Sequence, residues 1–154
     1  MRIFLAGIIQ GSCRNLDVHS QDYRATLRAA LEESIPSAHV YDPTENHKNS
    51  VLYSDEVGSK VFFTHNFMCR EVDIIIAFVP EASMGTAIEM WEGYQNGAFV
   101  VCITPLTTNW TTRFLTHKMY ADMDSLIEDI RNGNFQKEYA AFRETHPKLE
   151  GDEV

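Results

Sequence analysis

The sequence contains few cysteines and no long apolar run. Cys13, Cys69 and Cys102 are an odd number without tight spacing, which argues against a disulfide framework or a zinc site. No stretch approaches the roughly 20 apolar residues that a membrane span needs. The opening MRIFLAGIIQ has no secretory cleavage pattern. These absences lead us to expect a cytoplasmic protein that has no membrane partner.

Positive charge is also scarce. The chain has 13 Lys and Arg against 22 Asp and Glu, a formal net charge of −9, and no run rich in Lys or Arg. Such a chain repels a phosphate backbone, so polymeric nucleic acid is not an expected partner. A small anion can still bind through backbone N–H groups and one or two arginines.

The length of 154 residues and the hydrophobic content of 44% fit one domain with one core. The first segment, RIFLAGII at residues 2–9, is a continuous apolar run of the kind found in strands buried on both faces. Further strands are predicted at 38–42, 73–79, 98–104 and near 118–120, and helices at 22–35, 60–72, 84–96 and 123–133. We expect the tail from about residue 134 to be peripheral, with PKLEGDEV frayed.

The alternation of strands and helices predicts an α/β fold with a mostly parallel sheet of five strands and helices on both faces. In such folds ligands bind at the carboxyl ends of the strands. Three connections should meet there, at residues 8–17, 42–59 and 80–85. The second of these is a long polar connection, and connections of this length are often functional.

The helix after the third strand carries the most informative residues. Ser83 can cap this helix, and Gly85 leaves its first turn open to a ligand, so that the free N–H groups can hold an anion. Alternatively, Ser83 is only a cap. Glu89 lies six residues further on, about 9 Å along the helix axis. A carboxylate at this position can attack an anomeric carbon. Alternatively, Glu89 is only a solvated helix residue. We expect Glu92, three residues later, to be such a surface residue.

Three segments in order, RIFLAGII, DIIIAFVPEASMGTAIEMWEGYQNGAFVVCIT and NWTTRFLTHKMYAD, resemble the nucleoside 2-deoxyribosyltransferase family and its relatives, the nucleotide N-hydrolases. The resemblance spans residues 1 to about 133. It implies a flavodoxin-like, doubly wound sheet and a homodimer or higher homo-oligomer. It also implies cleavage of an N-glycosidic bond in a nucleoside or nucleotide, with transfer of the sugar to another base or to water. No cofactor and no metal are expected.

The resemblance assigns roles to individual positions. Glu89 matches the family's nucleophilic glutamate, and Ser83 matches the serine that contacts the 5′-phosphate. Gly7 matches the glycine that ends the first strand and admits substrate. Thr116 falls where relatives use a hydroxyl from a neighbouring subunit, and Asn109 lies in a segment expected near a subunit contact.

The chain departs from the family pattern after the first strand. The N-hydrolases carry a Ser and an Arg directly after the strand-one glycine, where this chain has Ile8 and Gln10. Ser12 and Arg14 follow slightly later. Gln10, Ser12 and Arg14 are therefore candidates for binding substrate, provided that this loop folds back over the site.

A second departure affects the proton chemistry. The family has an aspartate ahead of the third strand, and this chain has His65 at that position. His65 can do acid–base work near neutral pH, or it can be a helix residue whose ring is satisfied by a neighbour. Asp42, after the second strand, is another candidate for the missing carboxylate, or else a turn residue before Pro43.

Two other function classes remain open. This chain has Ile8, Gln10 and His65 where the family has other residues. These differences are compatible with a non-catalytic module that binds a nucleotide or sugar phosphate. The fold class alone also allows a flavin electron carrier, although GIIQGSCRN does not resemble a flavin-phosphate loop.

Overall fold

The structure, a computed structural model, describes residues 1–148, which form five strands and seven helices joined by turns. The strands are β1 (Arg2–Gly7), β2 (His39–Tyr41), β3 (Ile74–Phe78), β4 (Phe99–Ile103) and β5 (Lys118–Tyr120). The helices are α1 (Asp22–Ser34), α2 (Pro43–Asn46), α3 (Asp55–Cys69), α4 (Met84–Gln95), α5 (Trp110–Phe114), α6 (Met123–Asn132) and α7 (Asn134–Thr145). Among these residues, no helix is both long and apolar enough to cross a membrane.

The five strands form one parallel sheet in the order β2-β1-β3-β4-β5. Alternate residues of each strand point to opposite faces. Ile3, Ile74 and Phe99 therefore join one core cluster, which α1, α6 and α7 cover. Phe4 and Ile75 join the other, beneath α3 and α4. The predicted flavodoxin-like, doubly wound sheet with helices on both faces is confirmed.

The connection between β2 and β3 is more ordered than the sequence indicated. It contains α2 and a 3-10 turn at Ser50–Leu52, and α3 begins at Asp55 rather than near residue 60. Ser54 starts α3 early because its hydroxyl accepts a hydrogen bond from the Val57 N–H at 3.4 Å, and the acidic first turn favours the positive helix end. This early start extends α3 along the carboxyl edge of the sheet.

The C-terminal segment does not have the expected peripheral position over its described part. Phe135 is 1% exposed and Phe142 is 9% exposed, and both belong to the core cluster beneath α1 and α6. They are seven residues apart and so share one helix face. Arg143 also donates to the carbonyls of Gly97 at 2.8 Å and Asp73 at 3.0 Å. Of the segment predicted to fray, residues 149–154 lie outside the described residues.

We expect Phe135→Ala to lower the free energy of unfolding by about 3–5 kcal/mol, because it leaves a cavity in the core. Phe114→Ala is the control, since Phe114 is 55% exposed and its truncation should change stability by no more than about 0.5 kcal/mol. Urea unfolding followed by circular dichroism measures both values. Equal effects of the two substitutions would contradict the burial of α7.

Candidate active site

A cavity of about 380 Å³ lies at the carboxyl edge of the sheet. Its walls come from the end of β1, the loop after it, the β2–α3 connection, one face of α3 and the first turns of α4. The predicted site residues that line it are Gly7, Gln10, His65, Ser83, Gly85 and Glu89. The three predicted connections thus converge on one hollow.

The N-terminus of α4 opens into this cavity. The Ser83 hydroxyl accepts a hydrogen bond from the Thr86 N–H at 3.4 Å and lies 2.9 Å from the Thr86 hydroxyl. Ser83 is therefore both a cap and a cavity residue. A side chain at Gly85 would meet no described atom within 4 Å, so the first turn is open on that side. Backbone N–H groups and the positive helix end make this opening suitable for an anion.

Glu89 faces the same cavity from the second turn of α4. Its side chain is half-buried, and desolvation raises the pKa of its carboxyl group to about 8, although the positive charge of Arg24 opposes this rise. The group therefore keeps its proton near neutral pH. Glu92, one turn further along, instead forms a two-pronged ion pair with Arg70 at 2.7 and 3.1 Å. The two neighbouring acids of this helix are thus in different environments.

Arg24 of α1 is a cavity residue that the sequence analysis did not identify. It is 2% exposed, and its guanidinium donates to the carbonyls of Leu5 at 2.6 Å and Gly7 at 3.2 Å. It also donates to the Gln21 side chain at 2.8 Å and forms an ion pair with Asp42 at 3.3 Å. A buried cation held by four acceptors fixes the end of β1 and sets the electrostatics of the cavity.

Asp42 does not line the cavity. Its carboxylate accepts hydrogen bonds from the N–H and the hydroxyl of Thr44, both at 2.8 Å, and so caps α2. Together with the ion pair to Arg24, these contacts occupy the group. Asp42 therefore matches the turn-residue alternative, with the added role of balancing the charge of Arg24.

His65 lines the cavity but is engaged by a neighbour. Its Nε2 lies 3.0 Å from the Tyr41 hydroxyl, and its ring centroid lies 5.3 Å from that of His47. Burial, together with the smaller effects of the charges of His47 and Arg24, lowers the pKa of His65 to about 4. The ring is therefore neutral at physiological pH and can exchange hydrogen bonds with a ligand, but it does not carry a proton to give as an imidazolium. Tyr53 in turn holds His47, through a contact of 3.0 Å between its hydroxyl and Nδ1.

Gly7 lines the cavity, and its lack of a side chain has a structural reason. A Cβ at this position would lie 2.1 Å from the Tyr23 hydroxyl and 3.3 Å from Cβ of Phe78. Tyr23 and Phe78 pack with their rings 4.3 Å apart over the end of β1. Gly7 therefore makes room for Tyr23 behind the cavity, whereas the sequence analysis assigned it to substrate entry.

The other predicted binding residues lie away from the main cavity. The Ser12 hydroxyl donates to Glu81 at 3.0 Å, and Arg14 is exposed in the same loop, so Gly11 is the last residue of this loop that lines the cavity. Asn109 caps α5 and lines a second cavity of about 200 Å³, which also touches Ser83. The Thr116 hydroxyl is buried and has no hydrogen-bond partner among residues 1–148.

No group of three or more His, Cys, Asp and Glu residues in the described part of the chain is arranged to hold a metal ion. The chemistry that this cavity offers is that of a desolvated carboxyl group, an open helix N-terminus, a buried guanidinium and two histidines.

The raised pKa of Glu89 predicts a gain of stability in Glu89→Gln. The folded protein holds the proton up to about pH 8, whereas an ordinary glutamate loses it at 4.5. Stability therefore falls as pH rises from 4.5 to 8, because the folded state binds the extra proton. Glutamine removes this loss, so we expect Glu89→Gln to be more stable by at least about 1 kcal/mol at pH 8.

The control is Glu92→Gln, which breaks the ion pair with Arg70 and should lower stability slightly rather than raise it. Urea titrations at pH 5 and pH 8 measure both variants. A Glu89→Gln protein that is no more stable than the wild type at pH 8 would contradict the desolvated carboxyl group.

The chain matches no family model and no curated protein. It is similar to the solved structure of a 2-deoxyribosyltransferase from Bacillus psychrosaccharolyticus, with 21% identity, a TM-score of 0.64, and coverage of 90% of this chain and 96% of that one. A conserved protein from Enterococcus faecalis V583 matches at 20% identity and a TM-score of 0.54, with 86% and 98% of the two chains covered. The CMP N-glycosidase of Clostridium botulinum matches at 17% identity and a TM-score of 0.52, with 86% and 99% covered. The chain therefore has the fold of a 2-deoxyribosyltransferase and a CMP N-glycosidase over most of its length.

Proposed function

We propose that this protein is an enzyme of the nucleoside 2-deoxyribosyltransferase type, which cleaves the N-glycosidic bond of a nucleoside or nucleotide with Glu89 as nucleophile. One observation carries the proposal: the carboxyl group of Glu89 lies desolvated in a cavity, one and a half turns from the open N-terminus of α4. The shared fold of a 2-deoxyribosyltransferase and a CMP N-glycosidase supports this reaction class.

The geometry suits a sugar that carries an anionic group. A 5′-phosphate or 5′-hydroxyl at Ser83 and Gly85 would leave the anomeric carbon near Glu89, since six helical residues span about 9 Å. A carboxylate oxygen of Glu89 then bonds to the anomeric carbon as the bond to the base nitrogen breaks. The base leaves with the electron pair and takes up a proton from water. Water or a second base next displaces Glu89 from the sugar.

The neighbouring groups have distinct parts in this scheme. Glu89 must lose its proton before it attacks, and the buried charge of Arg24 favours the ionised form. His65 stays neutral and hydrogen-bonds to the Tyr41 hydroxyl, so it positions the base rather than protonates it. In this scheme Glu89 attacks the sugar, and the neutral side chain of His65 orients the base.

We expect Glu89→Ala to reduce turnover of a susceptible nucleoside or nucleotide by at least about 10³-fold while the protein stays folded. In the wild type, kcat/KM should rise with pH until about pH 8, because the free enzyme must ionise Glu89. Product release followed by chromatography measures both. Glu92→Ala is the control and should keep most of the activity.

Retained turnover in Glu89→Ala would remove this glutamate from the mechanism. Transfer and hydrolysis are separated by incubating a deoxynucleoside with and without a second free base. A new nucleoside identifies transfer, and free sugar in both incubations identifies hydrolysis.

A non-catalytic binding module is the second candidate, and the protonated state of Glu89 near neutral pH favours it. Arg14 is exposed and is not one of the residues that line the cavity, so the cavity lacks the arginine of the N-hydrolase pattern. Calorimetric binding of nucleotides without product at any pH from 6 to 9 would support this function over catalysis.

We also propose that the protein forms a homodimer or higher homo-oligomer through an apolar face on α3 and α4. This face consists of Phe63 and Phe67 on α3 and Met84, Ile88 and Trp91 on α4, all of them exposed. The two helices pack against each other, and the spacing of the three α4 residues places them on one stripe. Such exposed patches mark association sites, and Met84 also lines the cavity, so a second copy would complete its wall.

Trp91→Glu should convert the oligomer to a monomer, because it places a charge within the apolar face. Val18→Glu, at another exposed apolar residue outside this face, is the control and should leave the assembly unchanged. Sedimentation velocity gives the mass of each. A monomeric wild type, or an oligomeric Trp91→Glu protein, would exclude this face as the contact.

A further inference from the structure

Asn66 is a buried polar residue in the cavity wall that the proposed chemistry does not use. The cavity face of α3 is formed by residues at i, i+3, i+4, i+7 and i+8, namely Gly58, Val61, Phe62, His65 and Asn66. Asn66 is 5% exposed. Most of this face is apolar, so its few polar atoms decide which ligand groups it accepts.

The orientation of the Asn66 amide follows from its hydrogen bond. Its Nδ2 donates to the Phe62 carbonyl at 2.8 Å. Because a carbonyl can only accept, the amide nitrogen must be the atom on that side, and the oxygen takes the other position. This Oδ1 atom is buried and has no hydrogen-bond partner within residues 1–148. A buried acceptor without a partner costs about 1–3 kcal/mol, so it calls for a donor.

The neighbouring side chains of the cavity leave this acceptor available. His65, the adjacent polar residue, is engaged with the Tyr41 hydroxyl, and His47 is engaged with Tyr53. Across the cavity, α4 carries Glu89. Asn66 and Glu89 both line this cavity, and α3 packs directly against α4. A sugar at Glu89 would thus direct its base toward α3.

We propose that Oδ1 of Asn66 accepts a hydrogen bond from an exocyclic amino group of the substrate's base, and that this contact selects bases of the adenine or cytosine type. The inference rests on the proposed function, since it takes the ligand to be a nucleoside or nucleotide. The acceptor is isolated, because the amide nitrogen is already bound to Phe62. An isolated acceptor suits an amino group, whereas the N–H of uracil or thymine is flanked by carbonyl oxygens that would repel Oδ1.

The test measures binding apart from turnover. Glu89→Gln serves as the parent protein because it should bind nucleosides without cleaving them. Calorimetry compares 2′-deoxyadenosine with purine 2′-deoxyriboside, which lacks the amino group, and 2′-deoxycytidine with its counterpart lacking that group. In at least one pair we expect the amino compound to bind about tenfold tighter or better. Adding Asn66→Leu should bring that ratio close to one through loss of affinity for the amino compound alone.

Asn96→Leu is the matched control. Asn96 makes the same local bond, from Nδ2 to the Glu92 carbonyl at 2.8 Å, but lies at the end of α4 outside the cavity. It should leave the ratio unchanged. Asn66→Leu should also be no less stable than the parent, because it removes a buried acceptor without a partner.

The proposal is overturned if the parent binds both members of each pair equally, a result that does not depend on how the variant folds. It is also overturned if Asn66→Leu keeps the parent's ratio, or if no nucleoside binds. A wild type that prefers amino nucleosides but never cleaves them would contradict the proposed reaction and leave the role of Asn66 standing.

Discussion

The buried guanidinium of Arg24 holds together the edge of the sheet at which the candidate site lies. It ties α1 to two carbonyls at the end of β1 and to Asp42 after β2. Removal of one partner from a buried ion pair costs several kcal/mol, because the other charge stays desolvated. One side chain therefore connects the end of β1, the residue that caps α2 and the wall of the cavity.

The same cation explains the state of Glu89. A carboxyl group in this cavity is desolvated, and a single guanidinium already shared with Asp42 only partly compensates its charge. The result is an acid with a pKa near 8. This arrangement costs stability above pH 4.5, because the folded protein must ionise a desolvated carboxyl group.

Much of the fold could be predicted from the sequence because parallel strands that are buried on both faces have continuous apolar sequences. RIFLAGII and DIIIAFV are such runs, and the spacing from Ser83 to Glu89 fixes both on one helix at the carboxyl edge. Arg24 was not predicted, because arginine side chains are seldom fully buried unless they are paired. Arg24 lies three residues before Leu27 and seven before Leu31, which places it on the buried face of α1. This spacing was the feature of the sequence that could have identified it.

Other features depend on contacts that no local pattern contains. The loop after β1 is held by the hydrogen bond from Ser12 to Glu81, which is 69 residues away. His65 is neutral chiefly because it is buried, and the charge of His47, from the β2–α3 connection, adds to this effect. The core positions of Phe135 and Phe142 depend on the packing of α7 with α6 and with the sheet.

The central claim, that Glu89 is a desolvated acid in a substrate cavity, can be measured directly. The protein is labelled with ¹³C at its glutamate carboxyl groups, and the Glu89 signal, assigned by comparison with Glu89→Gln, is followed across a pH titration. A midpoint near pH 8 is the predicted result. A midpoint between about 4 and 5, the range of a solvated glutamate, would contradict the account.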